Sequence, residues 1–148
     1  AVGTYLERVY YLDGRQTLVI FTDGVDSRST LRASEVFEMV KFSNVKIHAI
    51  QFGGGRSISN LSLNEGRFLR RLANETGGSY SMGTSLEKID QIYDTILEEL
   101  FSQYSLGYVS TNGERDGKYR KIRVEVSQDN VKVRHRRGYY APEPLPRN

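Results

Sequence analysis

The run Leu18-Val19-Ile20-Phe21 contains no polar residue and is followed at once by Thr22-Asp23-Gly24. A strand with one wet face alternates apolar and polar residues, whereas an unbroken apolar run reads as a strand covered on both faces, the pattern of a parallel sheet. Parallel neighbours cannot be joined by a tight hairpin, so a crossover has to follow. The sequence provides one. Polar loop residues run from Asp23 to Thr30, a helix is predicted near Ala33 to Phe42 with Val36, Met39 and Val40 on one face, and a second buried strand spans Val45 to Phe52. Strand, helix and strand in this order make a right-handed βαβ unit, and the fold class is α/β.

The remaining elements fit around that unit. Val2, Leu6, Val9 and Tyr10 recur at helical spacing, predicting an opening helix over Val2 to Leu12 with no capping residue ahead of it, as if the chain had been cut from a longer one. After Gly53-Gly54-Gly55, a short helix is predicted over Glu65 to Thr76, stopped by Gly77-Gly78, and then a strand over Ser79 to Met82. Ser85 is a good N-cap for a long helix, Leu86 to Ser102, with the stripe Leu86, Ile89, Ile92, Tyr93, Ile96, Leu97 and Leu100. Beyond it the period becomes strand-like: Gln103 to Val109, a turn from Asn112 to Gly117, then Tyr119 to Val126 and Val131 to Arg134. In Ile122-Arg123-Val124-Glu125-Val126 apolar and charged residues alternate, so an antiparallel sheet with one wet face is expected there. Pro142, Pro144 and Pro146 make the end an extended tail. The expected organisation is an α/β unit over residues 1–102, a β extension over 103–141 and a tail over 142–148.

Several classes of function fall away on composition. No apolar run approaches the roughly 18 to 20 residues of a membrane-spanning helix, so membrane insertion is not expected. The absence of cysteine removes thiolate metal sites and cysteine nucleophiles. The net charge of +3 is uneven: residues 1–102 carry 11 Lys and Arg against 13 Asp and Glu (−2), and residues 103–148 carry 10 against 5 (+5). The basic residues Lys118, Arg120, Lys121, Arg123, Lys132, Arg134, His135, Arg136 and Arg137 follow strand alternation, so they read as the wet face of a sheet and not as a nucleic-acid surface. Gly53-Gly54-Gly55 has neither G-x-G-x-x-G spacing nor a following Gly-Lys-Ser/Thr, and Ser79 and Ser81 match no nucleophile elbow.

Asp23 is the most informative polar residue. A carboxylate at the C-terminal end of a buried parallel strand lies where open α/β sheets bind ligands, and its oxygens suit a hard cation; the same residues would also serve as a plain solvated Asp-Gly turn.

The series Leu18-Val19-Ile20-Phe21-Thr22-Asp23-Gly24-Val25-Asp26, Val45 to Gly53, Leu69 to Gly78, Gln103 to Tyr108, Gly117 to Ile122 and Arg137-Gly138-Tyr139-Tyr140 resembles the von Willebrand factor type A domains, in particular a bacterial group with a β-rich C-terminal extension. The resemblance covers nearly the whole chain and corresponds to the C-terminal half of such a domain. It implies half of an open, mostly parallel Rossmann-like sheet (Thr17 to Phe21, Val45 to Gln51 and Ser79 to Met82) flanked by helices, then the antiparallel extension. It further implies a metal-ion-dependent adhesion site holding magnesium, or manganese or calcium, to which a protein ligand adds an acidic group. Asp23 matches the family's aspartate ligand, with Thr22, Gly24 and Asp26 shaping its loop. The family's Asp-x-Ser-x-Ser motif is missing from this chain, so weak metal binding is expected. An extracellular or periplasmic location is implied, and the vacant place beside Thr17 to Phe21 is expected to be filled by a second copy or an upstream fragment. Two other readings stay open: a metal-independent scaffold domain, and a hydrolase or nucleotide-binding enzyme of doubly wound fold.

Overall fold

The computed structural model describes residues 2–9, 14–23, 31–53 and 60–144. Its elements run α1 (Val2–Val9), β1 (Gln16–Thr22), α2 (Ala33–Phe42), β2 (Val45–Phe52), α3 (Asn60–Thr76), β3 (Tyr80–Gly83), α4 (Leu86–Phe101), β4 (Tyr119–Lys121) and β5 (Gly138–Tyr140). The first three strands form one parallel sheet in the order β1-β2-β3, with Gln16 opposite Val45 and Ala49 opposite Tyr80.

Helices cover both faces of this sheet. On one side Leu6 and Val9 of α1, Val36, Phe37 and Val40 of α2, and Leu72 of α3 close over Val45 and Ile47 of β2. On the other, Ile92 and Ile96 of α4 close over Ile50, with Val19 and Leu100 beside them. Side chains alternate along a strand, so β2 feeds Ile47 to one core and Ile50 to the other, and both are fully buried. Complete coverage therefore belongs to the central strand. The expectation that Thr17 to Phe21 is covered on both faces holds only in part: Leu18 and Ile20 pack against one core and Val19 against the other, but β1 is only half-buried along most of its length and Phe21 is 53% exposed. Its only strand partner among the described residues is β2, so half of its shelter is missing.

Local chemistry fixes the element ends. The Arg32 amide donates to Glu35 Oε2 at 2.7 Å at the start of α2, and the Lys88 amide donates to Ser85 Oγ at 3.3 Å at the start of α4. Gly14, at φ 96°, makes the turn before β1. The opening helix is described over Val2–Val9, the rest of its expected span to Leu12 lying outside the described residues, and α3 begins at Asn60, earlier than the predicted Glu65.

The extension departs further from its sequence pattern. Gln103 to Val109 and Val131 to Arg134 form no strand, and only the first three residues of Tyr119 to Val126 do. The partner of β4 is Gly138–Tyr140, antiparallel, with Tyr119 opposite Tyr140 and Lys121 opposite Gly138. Backbone bonds Ile122 N–H to Arg137 O (2.9 Å) and Ala141 N–H to Lys118 O (2.9 Å) lengthen this ladder at both ends. The pairing is set by close packing. A Cβ on Gly138 would stand 2.4 Å from Arg120 O and 2.5 Å from the Tyr119 ring. Tyr140 stacks on Phe42 of α2 (4.3 Å) and meets Tyr119 edge-on (5.2 Å).

Arg136 completes the docking. Its guanidinium donates to the carbonyls of Lys41 and Ser43 just where α2 ends, to Asn44 Oδ1 (2.9 Å), and to Gly138 O (2.6 Å). Helix C-terminal carbonyls lack intrahelical donors and carry partial negative charge, so an arginine fork satisfies both needs. The reading of Arg136 as part of a solvated basic face is corrected accordingly.

The two-sided core makes a stability contrast measurable. Ile96→Ala, at a position 3% exposed, is expected to cost about 2 to 5 kcal/mol, and Leu97→Ala, at 48% exposure on the same helix, about 0.5 kcal/mol or less. Urea unfolding followed by circular dichroism checks this; equal losses would place the α4 stripe outside the core.

Candidate functional site

The C-terminal ends of parallel strands lie at one edge of a sheet, here Thr22, Phe52 and Gly83. Asp23 follows β1 directly and is exposed, while Thr22 is partly buried. The Thr22 hydroxyl donates to Glu65 Oε1 of α3 at 3.5 Å. A carboxylate from a different element thus approaches the end of β1. Glu65 carried no sequence signal, because its placement depends on where α3 lies against the sheet. Gly24 and Asp26 lie outside the described residues.

The position of α3 follows from a close contact. A Cβ on Gly66 would stand 2.8 Å from Gln51 Oε1 and 3.0 Å from the Tyr80 hydroxyl, so any larger residue there would have to displace that hydrogen-bonded pair. Buried Gln51 accepts a hydrogen bond from that hydroxyl at 2.6 Å, and the Arg70 guanidinium lies over the Tyr80 ring at 4.9 Å. Gly53 N–H donates to Gly83 O at 3.0 Å, tying β2 to β3 beyond their last side chains. These contacts hold α3 against β2 and β3. The Thr22 hydroxyl and Glu65 carboxylate, with the Asp23 carboxylate next in sequence, offer oxygen donors alone, which suit magnesium or calcium better than a softer metal. Among the described residues, no three His, Asp or Glu side chains gather closely enough to hold an ion by themselves.

A different polar pair links the middle of β2 to the residue just before β3. His48 of β2 is fully buried, its Nδ1 is 2.8 Å from Ser79 Oγ, and its Nε2 has no hydrogen-bond partner among the described residues. Burial, and then the charges of Lys46 and Arg134, push the imidazole down to about 4.

No family model matches the chain, and no curated protein is significantly similar to it. Four solved chains match. One is the crystal structure of an uncharacterized membrane spanning protein from Vibrio fischeri, with TM-score 0.49 and 20% identity over 65% of this chain and 50% of that one. This chain therefore spans about half the length of that protein. The extracellular or periplasmic location implied by the family resemblance is withdrawn, because the similar structure belongs to a protein described as membrane spanning. No helix among the described residues is long and apolar enough to cross a membrane.

The buried imidazole gives a pH dependence with a definite sign. An unfolded histidine takes up a proton near pH 6.5, whereas folded His48 resists until about 4. Between these values the unfolded state binds more protons, so this contribution to stability is present above pH 6.5 and is lost progressively as pH falls toward 4. The loss amounts to about 2 to 3 kcal/mol by pH 4.5. Urea midpoints measured from pH 7 to 4.5 should fall less steeply for His48→Gln than for the parent; identical slopes would contradict the assignment.

Proposed function

We propose that the chain is a non-enzymatic binding module of von Willebrand factor type A kind, with half of that family's Rossmann-like sheet. Its ligand site lies beyond the C-terminal end of β1. The observation that carries the reading is the contact of the Thr22 hydroxyl with Glu65, directly before the exposed carboxylate of Asp23 at the end of β1. Such oxygens hold a hard divalent cation, and the cation supplies an open position for an acidic group of a protein ligand. Asp23 is the metal ligand and Thr22 and Glu65 support it; Gly24 and Asp26, which follow in the sequence, lie outside the described residues. No bond of the ligand is made or broken.

The hydrolase alternative has one contact in its favour, the Ser79–His48 pair. A general base works best with a pKa near the working pH and with its second nitrogen held by an acid. His48 sits near 4, and its Nε2 finds no partner among the described residues. Buried structural pairing accounts for the contact, and the binding reading is preferred.

Manganese tests the site directly, since it can stand in for magnesium and broadens the NMR signals of nearby nuclei. Titration is expected to broaden the amides of Thr22, Asp23 and Glu65 first, at millimolar metal, because magnesium-type ions bind tightly only where several oxygens converge. Asp23→Ala should abolish the effect. Broadening centred elsewhere, or unchanged by Asp23→Ala, would refute the proposed site.

A further inference from the structure

A cleft of about 300 Å³ opens at the N-terminal end of β3, between the last turns of α3 and residues 132–137. Arg70, Lys132, Arg134, His135 and Arg137 line it together with Asn74, and no acidic residue does. Arg134 is paired with Glu99 of α4. Arg70, Lys132 and Arg137 have no carboxylate partner among the described residues, which leaves three uncompensated cations around one small space. The C-terminal end of α3 lies nearby, but a helix end offers only about half an elementary negative charge.

Most other cations of the extension are engaged, Lys121 being an exposed exception outside the cleft and Arg115 donating to the Glu143 carbonyl. Lys118 and Arg120 both reach Asp116, Arg123 pairs with Glu125, and Arg136 is spent on the carbonyls at the end of α2. A nucleic-acid surface is a continuous basic stripe. Here the unneutralised charge is concentrated in a bounded cleft, at the small end of the size range for small-ligand sites.

The cleft is also built rigidly. A Cβ on Gly77, at φ 78°, would stand 2.6 Å from the carbonyl carbon of His135, and one on Gly78 would stand 1.9 Å from Ile47 O, so its floor is close-packed backbone. Arg137 N–H donates to Glu75 O at 3.2 Å, which fixes the far wall to α3. Between Glu99 holding Arg134 and the α2 carbonyls holding Arg136, the segment that carries the cations is pinned on both sides of His135. Guanidinium forks match the oxygens of phosphate, and a backbone segment anchored in advance lowers the entropy cost of binding.

We infer that this cleft is a binding site for a small phosphate-bearing anion, of the size of pyrophosphate or a monophosphate with a compact organic group. The site is separate from the Asp23 end of the sheet and does not depend on the metal reading there. Calorimetric titration with inorganic pyrophosphate at constant ionic strength tests it, with Arg70→Gln/Arg137→Gln as the site variant and Arg123→Gln, a paired cation outside the cleft, as the control. Thermal unfolding without ligand checks that each variant is folded, and Lys132→Gln replaces the double variant if that one is not. The expected result is saturable one-to-one binding, weakened about tenfold or more in the cleft variant and unchanged in the control. Absence of saturable binding, or equal weakening by Arg123→Gln, would overturn the inference. So would tighter binding of a ten-nucleotide oligothymidylate with equal losses in all variants, because a diffuse nucleic-acid surface would then be the true partner site.

Discussion

The guanidinium of Arg136 is the point on which the two parts of this protein meet. A two-stranded ladder as short as β4 and β5 is marginal in water by itself and has to rest on something. It rests on α2. Tyr140 stacks on Phe42, and Arg136 inserts its donors among the carbonyls of Lys41 and Ser43 and the side chain of Asn44. Burial lowers the pKa of this arginine, yet a guanidinium keeps its charge in proteins, so removing its acceptors would strand a buried cation. Lysine could not replace it, having no planar fork to reach several carbonyls at once.

From this contact the charge layout follows. Arg136 turns inward to the end of α2 while Arg137 lines the cleft beside α3, so adjacent residues of one segment serve packing and an open cationic wall respectively. The parallel sheet then separates two chemistries along its strands. Oxygen donors collect beyond the C-terminal end of β1, and cations collect near the N-terminal end of β3. Buried His48, beside Ser79, lies near the cationic end and is held neutral in part by Lys46 and Arg134.

The α/β part was legible in the sequence because its signals are local. Unbroken apolar runs, the Ser85 cap and the α4 stripe each arise within one element; the runs form strands, the cap is made, and of the stripe Ile89, Ile92 and Ile96 are buried while Leu86, Tyr93 and Leu97 are exposed. The failures are matters of context. Thr17 to Phe21 has the composition of a central strand, but its exposure depends on its neighbours in the sheet. Val131 to Arg134 alternates like a strand, but pairing went to Gly138–Tyr140, where a missing Cβ admits Arg120 O. Arg136 has the same sequence signature as its exposed basic neighbours; only the position of the α2 terminus distinguishes it. At the candidate site Asp23 could be read from its strand-end position, whereas Glu65 needed the close approach at Gly66 that no spacing rule encodes.

Native-state hydrogen exchange on the parent and Arg136→Lys proteins tests the central role of this arginine most directly. The amides of Ile122 and Ala141, bonded across the β4–β5 ladder, and of Ser43, bonded to the last turn of α2, report the two sides of the contact. In Arg136→Lys, protection at all three is expected to fall together by about tenfold or more, while Ile47 and Ile50 in the central strand keep most of theirs. Unchanged protection at Ile122 and Ala141 would contradict the account, since the ladder would then hold its place without the guanidinium.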